Sequence, residues 1–415
     1  MSGGGQTMEP AQIRAAAARA RGAGRRLRAM DGARLGRSLE EAALRLMDPR
    51  SPLGAEARET LPESSGLSPA MLEWALQTSL REVNAPSVGR LRARARASEP
   101  ELRPIGLLGL ILSANVITAP TRAVLVPLAL GVPVLAKASA REARYAELLR
   151  RALLEADPEL GEAFEVLAFG RDRRDLETAL LAEAEALGVY GGDGTIEALE
   201  GRWGDERPFL AHGHGLGAAY LPPSSLQGER AIRASVEALA LDVGAYDQRG
   251  CLSPQFVFVA RGAGLGAREL ASRLSSEGLS ALEEALPRGE LPLALEAAQM
   301  QWRGVAAAIG ELFEGPRCAT SFEPGLRPRL SPGHRHVSVL ECEDLEEFLG
   351  VLRLFGGHLK ALGVGGGVEE RRRVAEALGP AQRPLISPLG QMQTPALDAE
   401  TDGRSCWEGL FVRRR

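Results

Sequence analysis

The sequence predicts an α/β protein, with N-terminal helices followed by two α/β domains built on parallel sheets. Three observations lead there. From residue 104 onward short apolar runs alternate with amphipathic helical stretches through short links, the order of a parallel sheet with right-handed crossovers. The first run, 105–112, is apolar without a break, as in strands covered on both faces. The alternation resumes beyond Gly/Pro-rich joints at 204–208 and 221–223, so a second α/β region follows the first.

Composition narrows the function classes. The chain has 415 residues, 45% hydrophobic and 25% charged, long enough for separate cores. A net charge of −4 supplies no basic field for nucleic acid, and the arginine runs at 25–26, 371–373 and 413–415 read as solvated surface. No apolar stretch approaches the roughly 18–20 residues of a membrane span. The first ten residues lack the basic-then-apolar order of a secretory signal. Cys251, Cys318, Cys342 and Cys406 are dispersed, with no CxxC pair, which suits free thiols in a reducing cytoplasm. Only two of the 50 basic residues are lysines, Lys137 and Lys360, which suggests that guanidinium would not serve there.

The elements follow in order. Residues 1–32, rich in Gly, Ala and Arg, read as a frayed terminus or a basic helix. Ser38 is a candidate cap for a helix over 38–46, and Ser68 caps one over 68–81 with Pro69 in its first turn. Strands are predicted at 105–112, 132–136, 164–169 and 187–190, with helices at 121–130, 140–155 and 173–186. The second region reads as helix 232–239, strand 256–259, helices 267–275 and 293–309, strand 337–340, helix 345–354, strand 360–364, helix 368–378 and strand 384–386. The expected division is a helical region over 1–100, a dinucleotide-binding domain over 101–218, a catalytic domain over 219–385 and a tail over 386–415.

Several residues can carry chemistry. Asn115 follows the first strand, where a side-chain amide meets the ligand crevice of a parallel sheet and can stabilise an oxyanion; it can equally cap the next helix. Lys137 and Ser139 end the second strand, placed to hold an adenosine ribose, though Ser139 also suits a helix cap. No acid stands there to repel a ribose phosphate, and Lys137 with Arg141 favours one. Gly262-Ala263-Gly264-Leu265-Gly266 lacks the GxGxxG spacing and reads as a turn. Cys251 sits in a constrained loop, after Gly250 and before Pro254, as either a nucleophile or a small core residue. The pairs His212/His214 and His334/His336 lack further ligands at metal-binding spacing, so no metal is expected.

Taken in order, these segments resemble the aldehyde dehydrogenase superfamily, and within it the LuxC-like acyl-CoA reductase branch, the family of the fatty acid reductase of bacterial bioluminescence. The resemblance runs from about residue 104 to the C-terminus. It rests on Asn115, Lys137-x-Ser139, Tyr190-Gly191-Gly192-Asp193-Gly194-Thr195, His212-Gly213-His214-Gly215, Asp247-Gln248-Arg249-Gly250-Cys251-Leu252-Ser253-Pro254, and Gly390-Gln391-Met392-Gln393-Thr394-Pro395 with Asp402-Gly403. It implies Cys251 as nucleophile, Asn115 with the Cys251 N–H as oxyanion donors, and Lys137 and Ser139 on the adenosine ribose or its phosphate. Gly191, Gly192, Asp193 and Thr195 then lie near the pyrophosphate or nicotinamide. Oxidising relatives carry a Glu base where this chain has His212 and His214, with His214 a candidate acid. The implied activity is NADPH-dependent reduction of an acyl-CoA, a fatty acyl-CoA by resemblance, to an aldehyde, with NADH as the other cofactor. A dehydrogenase working in the oxidising direction is the alternative, with Glu323 or Glu341 as its base. The expected partners are the acyl thioester and further copies of the chain in a homo-oligomer.

Overall fold

The computed structural model describes residues 8–99, 101–262, 264–379 and 382–413. Ala263 of the glycine-rich turn and Arg414 and Arg415 of the last arginine run lie outside the described residues.

Five helices come first: α1 (Pro10–Ala29), α2 (Gly32–Met47), α3 (Pro52–Ser65), α4 (Pro69–Arg81) and α5 (Ala85–Ser98). Helix α1 is the basic helix of the two options the sequence left open. Ile13, Ala16, Ala17, Ala20, Ala23 and Leu27 form one buried face, and Arg19 and Arg21 reach Glu165 and Glu183 at 2.8 and 2.6 Å. Helix α4 starts as expected, Ser68 accepting from the Met71 N–H at 3.2 Å. Helix α2 does not start at Ser38. Its cap is Asp31, whose carboxylate accepts from the Ala33 and Arg34 N–H groups at 3.0 Å, and its apolar face begins a turn earlier, at Leu35. Ser38 is buried inside the helix. Helices α3 and α5 escaped the sequence reading because their apolar stripes are narrow, although Ser51 and Asn84 cap them.

Strand β1 (Leu102–Pro104) leaves the helices and pairs antiparallel with the C-terminal β14 (Phe411–Arg413). The first sheet then follows as β2 (Leu108–Ile111), α6 (Ala119–Ala129), β3 (Val134–Ala138), α7 (Arg144–Ala156), α8 (Pro158–Gly161), β4 (Phe164–Ala168), α9 (Arg174–Glu183), β5 (Ala186–Tyr190), α10 (Asp193–Trp203) and β6 (Phe209–His212). Its strands are all parallel in the order β4-β3-β2-β5-β6, with buried apolar clusters on both faces. Strand order reverses between β2 and β5, which opens a crevice at their carboxyl ends.

The second sheet contains β7 (Leu216–Leu221), β8 (Pro254–Ala260), β9 (Glu311–Gly315), β10 (Cys318–Phe322), β11 (His336–Cys342), β12 (Leu359–Val364) and β13 (Leu385–Pro388). Their order is β13-β12-β7-β8-β11-β10-β9, parallel except for the edge strand β9. Helices α11 (Glu229–Gly244), α12 (Ala267–Arg273), α13 (Ser280–Ala285), α14 (Leu293–Ile309), α15 (Leu345–Leu352) and α16 (Val368–Leu378) connect the strands. The expected boundary at 218 falls inside β7. The chain changes sheets earlier, between His212 and Leu216, because β7 pairs with β8 and β12 rather than with β6.

If α1 is part of the first domain's core, Leu27→Ala, at a fully buried position, should cost about 2–5 kcal/mol in urea denaturation. A loss below about 0.5 kcal/mol would mean that α1 docks loosely.

Candidate active site

The chain passes from the carboxyl end of β6 to the amino end of β7 in three residues, so the two sheets face each other end on. A cavity of about 340 Å³ lies in that join. The first sheet contributes Asn115, Tyr190, Gly191 and His212, the link contributes Gly213, His214 and Gly215, and the second sheet contributes Cys251 and Lys360. Strands β7, β8 and β12 are neighbours, so Gly215, Cys251 and Lys360 arrive together from three segments distant in sequence. Two glycines permit this. A Cβ on Gly215 would stand 2.1 Å from Lys360 Cγ, and one on Gly217 would stand 2.6 Å from the Leu252 carbonyl oxygen. Either side chain would push the lysine or the nucleophile loop away.

Cys251 follows a strained turn. Tyr246, Asp247 and Gln248 take φ of 52°, 53° and 59°, three successive left-handed residues without a glycine. Such residues cost of order 1–3 kcal/mol each unless their surroundings hold them. Here Tyr246 Oη meets Thr118 Oγ1 at 2.8 Å, and Asp247 Oδ2 accepts from the Gly289 N–H and from Arg249 at 3.1 Å. Gln248 Nε2 donates to the Pro254 and His336 carbonyls at 2.8 Å, and its Oε1 accepts from the His336 N–H at 3.0 Å. Arg335, fully buried, faces Asp247 Oδ1 at 3.5 Å and donates to Glu283 at 2.5 Å. His334 and His336 are absorbed into this buried polar network, His336 Nε2 accepting from Arg303 at 3.0 Å.

The Cys251 thiol opens onto the cavity but is otherwise ringed by protein. Burial pushes it up to about 11; the nearby Asp402 carboxylate adds to this and Lys360 opposes it. At rest the thiol is protonated, so reaction needs a proton acceptor. The amide of Asn115 lines the same cavity and makes no hydrogen bond among the described residues. It does not cap the next helix, α6, whose cap position is Thr118.

Asp402 is a site residue the sequence reading carried only within a motif. Its carboxylate lies between His212 Nδ1 at 2.6 Å and Lys360 Nζ at 2.8 Å. Burial works against its charge, but His212 and Lys360 outweigh burial and hold its pKa at about 2. The carboxylate fixes the proton of neutral His212 on Nδ1 and leaves Nε2 as the free ring nitrogen. Tyr190 stacks on the imidazole at a centroid distance of 4.2 Å. His214 lines the cavity too, but it is exposed, and its backbone N–H donates to Asp193 at 3.3 Å. The oriented imidazole is therefore that of His212. Lys360 carried one sequence signal, the rarity of lysine; the partnership of His212 with Asp402, 190 positions apart, carried none.

The remaining sequence-predicted residues sit along the first sheet. Gly192, Asp193 and Thr195 form the start of α10, which has no side-chain cap. Lys137 and Ser139 close β3, outside the cavity wall. Ser139 does not cap α7; its Oγ accepts from the Arg141 N–H at 3.3 Å. Lys137 lies over the Phe169 ring at 5.7 Å and has no carboxylate partner among the described residues. Neither Glu323 nor Glu341 reaches the cavity: Glu323 is bound by Ser321, Ser338 and Arg329, and Glu341 by Arg261. The tail motif closes the rear of the nucleophile loop. The Gly390 and Met392 N–H groups donate to Asp242 at 2.6 and 2.9 Å, and Gln393 donates to Ser253 Oγ at 3.1 Å.

The sequence profile described as acyl-CoA reductase (LuxC) matches residues 65–405. Among curated proteins no match is found. The fold is similar to that of an oxidoreductase from Marinobacter aquaeolei, with a TM-score of 0.74 at 14% identity, covering 98% of this chain and 90% of that one. It is also similar to an NAD-dependent aldehyde dehydrogenase from Sinorhizobium meliloti, with a TM-score of 0.68 at 15% identity over 98% and 86% of the two chains. Aldehyde dehydrogenase 21 from Physcomitrella patens, solved with the reaction product succinate, gives a TM-score of 0.70 at 16% identity over 98% and 90%.

A thiol pushed up to about 11 predicts the pH dependence of its alkylation. Thiolate fraction rises with pH below the pKa, so iodoacetamide labelling of Cys251 should rise roughly tenfold per unit from pH 7 to 9. A rate already flat at pH 7 would show a resting thiolate.

Proposed function

Because the chain belongs to the acyl-CoA reductase (LuxC) family, and so is an oxidoreductase of acyl or aldehyde groups, we propose that it reduces an acyl-CoA thioester to the aldehyde through a Cys251 acyl-enzyme, with NADPH the preferred reductant. The observation that carries this reading is one cavity shared by Cys251, the unengaged Asn115 amide and the His212–Asp402–Lys360 cluster.

In the first step His212 Nε2 takes the thiol proton as Sγ of Cys251 attacks the thioester carbonyl. The charge that develops on oxygen is received by the Asn115 amide and the Cys251 N–H, donors typically worth about 2.7–4 kcal/mol each. The CoA sulfur leaves with the C–S electron pair and takes the proton back from His212. The role of acid, sought at His214, thereby passes to His212, whose imidazolium Asp402 stabilises. Asp402 itself, held at about 2, is too weak a base to activate water at neutral pH. No carboxylate base is thus at hand to activate water against the acyl-enzyme.

The residues present suit a nicotinamide dinucleotide. The crevice lies where strand order reverses, the start of α10 offers uncapped N–H groups to a pyrophosphate, and Lys137 stands without an acid partner among the described residues. Glu177, the acid whose charge Lys137 feels, is engaged by Arg202. When bound, the reduced nicotinamide supplies the hydride that converts the acyl thioester to a thiohemiacetal. Asn115 and the Cys251 N–H hold its oxygen until C=O re-forms and expels Cys251 as thiolate, which regains a proton.

Mixing the protein with acyl-CoA and no cofactor should leave Cys251 heavier by one acyl group for minutes by intact-mass spectrometry, and NADPH should then release aldehyde. Cys251→Ala should form no adduct, while Cys318→Ala and Cys342→Ala should form it normally. Rapid release of free acid without an adduct would favour the oxidising dehydrogenase instead.

Lys137→Ala should weaken NADPH binding by tenfold or more and NADH binding less, since each charge-assisted bond to a ribose phosphate is worth about 1.5–3 kcal/mol. Equal losses by fluorescence titration would remove the phosphate role.

A further inference from the structure

The cavity wall holds one arginine that makes no ion pair among the described residues. Arg122, on α6, lines the cavity, whose wall also holds Tyr190, Val126, Cys406 and Leu410 and the acids Glu400 and Glu408. One of its terminal nitrogens donates to the Ala399 carbonyl at 2.6 Å, and its Nε is buried without a hydrogen-bond partner. No carboxylate lies within ion-pair distance of it among the described residues. The other arginines and the lysine of the wall are ion-paired: Lys360 with Asp402 at 2.8 Å, Arg404 with Asp402 at 3.9 Å, and Arg249 with Asp247 at 3.1 Å. Nor does the tail segment near Ala399 depend on Arg122 for its charge, because Arg94 holds Asp398 through both its carboxylate, at 2.8 Å, and its carbonyl.

A guanidinium set among apolar side chains costs free energy unless an anion meets it. The fork of a guanidinium matches a carboxylate in two parallel hydrogen bonds. The dinucleotide phosphates have their own cradle at Lys137 and α10, on other strands of the sheet. An acyl group joined to Cys251 occupies the cavity that Arg122 lines. Resting on the acyl-enzyme reading, we propose that Arg122 is a specificity residue for acyl thioesters that carry a second carboxylate at the far end of the acyl chain. The product would be a semialdehyde, not the simple fatty aldehyde that the family resemblance suggests.

The test compares succinyl-, glutaryl- and adipoyl-CoA with butyryl-, valeryl- and hexanoyl-CoA, following acylation of Cys251 by intact mass without cofactor. At least one of the dicarboxylic thioesters should acylate tenfold or more faster than its neutral counterpart. Arg122→Met should abolish that preference and Arg122→Lys should keep part of it. If the variants fail to fold, the comparison within the unaltered protein still decides. Equal or faster acylation by every neutral thioester overturns the proposal, as does a preference that survives Arg122→Met. If no thioester of either series acylates Cys251, it is the acyl-enzyme reading that fails.

Discussion

The site depends on a backbone turn that the chain would not adopt alone. Three left-handed residues, Tyr246 to Gln248, aim Cys251 into the join between the sheets. Their side chains are what fasten them. Tyr246 reaches Thr118 before α6, Asp247 is enclosed by Arg335, Arg249 and the Gly289 N–H, and Gln248 bridges the chain before β8 to the start of β11. The same residues that hold the strain connect the dinucleotide-binding half, the helical region and the catalytic sheet. Arg249 extends the connection to the Ser65 and Gly66 carbonyls at the end of α3, at 2.6 and 3.0 Å. The nucleophile loop is thus a product of the whole assembly.

A second constraint is electrostatic. The carboxylate placed nearest the chemistry is paired on both oxygens, and the pairing lowers its basicity while it orients an imidazole. That arrangement separates two tasks which a single glutamate would combine. In the proposed reaction, proton transfer to and from sulfur falls to His212, and activation of water is left without a strong carboxylate base. Asp242 shows the opposite balance: burial raises its carboxyl to about 7 against the pull of two backbone N–H groups, and its work is to dock the tail motif behind Ser253.

The sequence was most legible where the physics is local. Apolar runs and caps placed most strands and helices of both sheets, and Ser68 and the helix at Leu293–Ile309 came out as expected. It was least legible where packing overrides pattern. Helix α1 stayed open between a frayed terminus and a basic helix because its buried face is largely alanine, which carries little periodic signal, and its arginines find partners only after folding. Strand β9 was missed because it is short and half exposed, and β10, although buried, because Thr320 and Ser321 interrupt its apolar run. The expected boundary at 218 cuts β7 because neither β6 nor β7 is among the predicted strands, and only strand pairing assigns them to different sheets.

By itself the sequence determined the fold class, and it offered the loop around Cys251, Asn115 at the first strand's end and Lys137 at the second's as the residues proposed to carry the chemistry. Each of these is a residue type at a fixed offset from a strand end, which is local information. The tertiary structure decided the rest. It selected His212 over His214, brought Asp402 and Lys360 to it, and left Arg122 unpaired in the wall of the nucleophile's cavity. These relations span up to 190 positions, and their energies, burial and ion pairing, exist only once distant segments share one low-dielectric space.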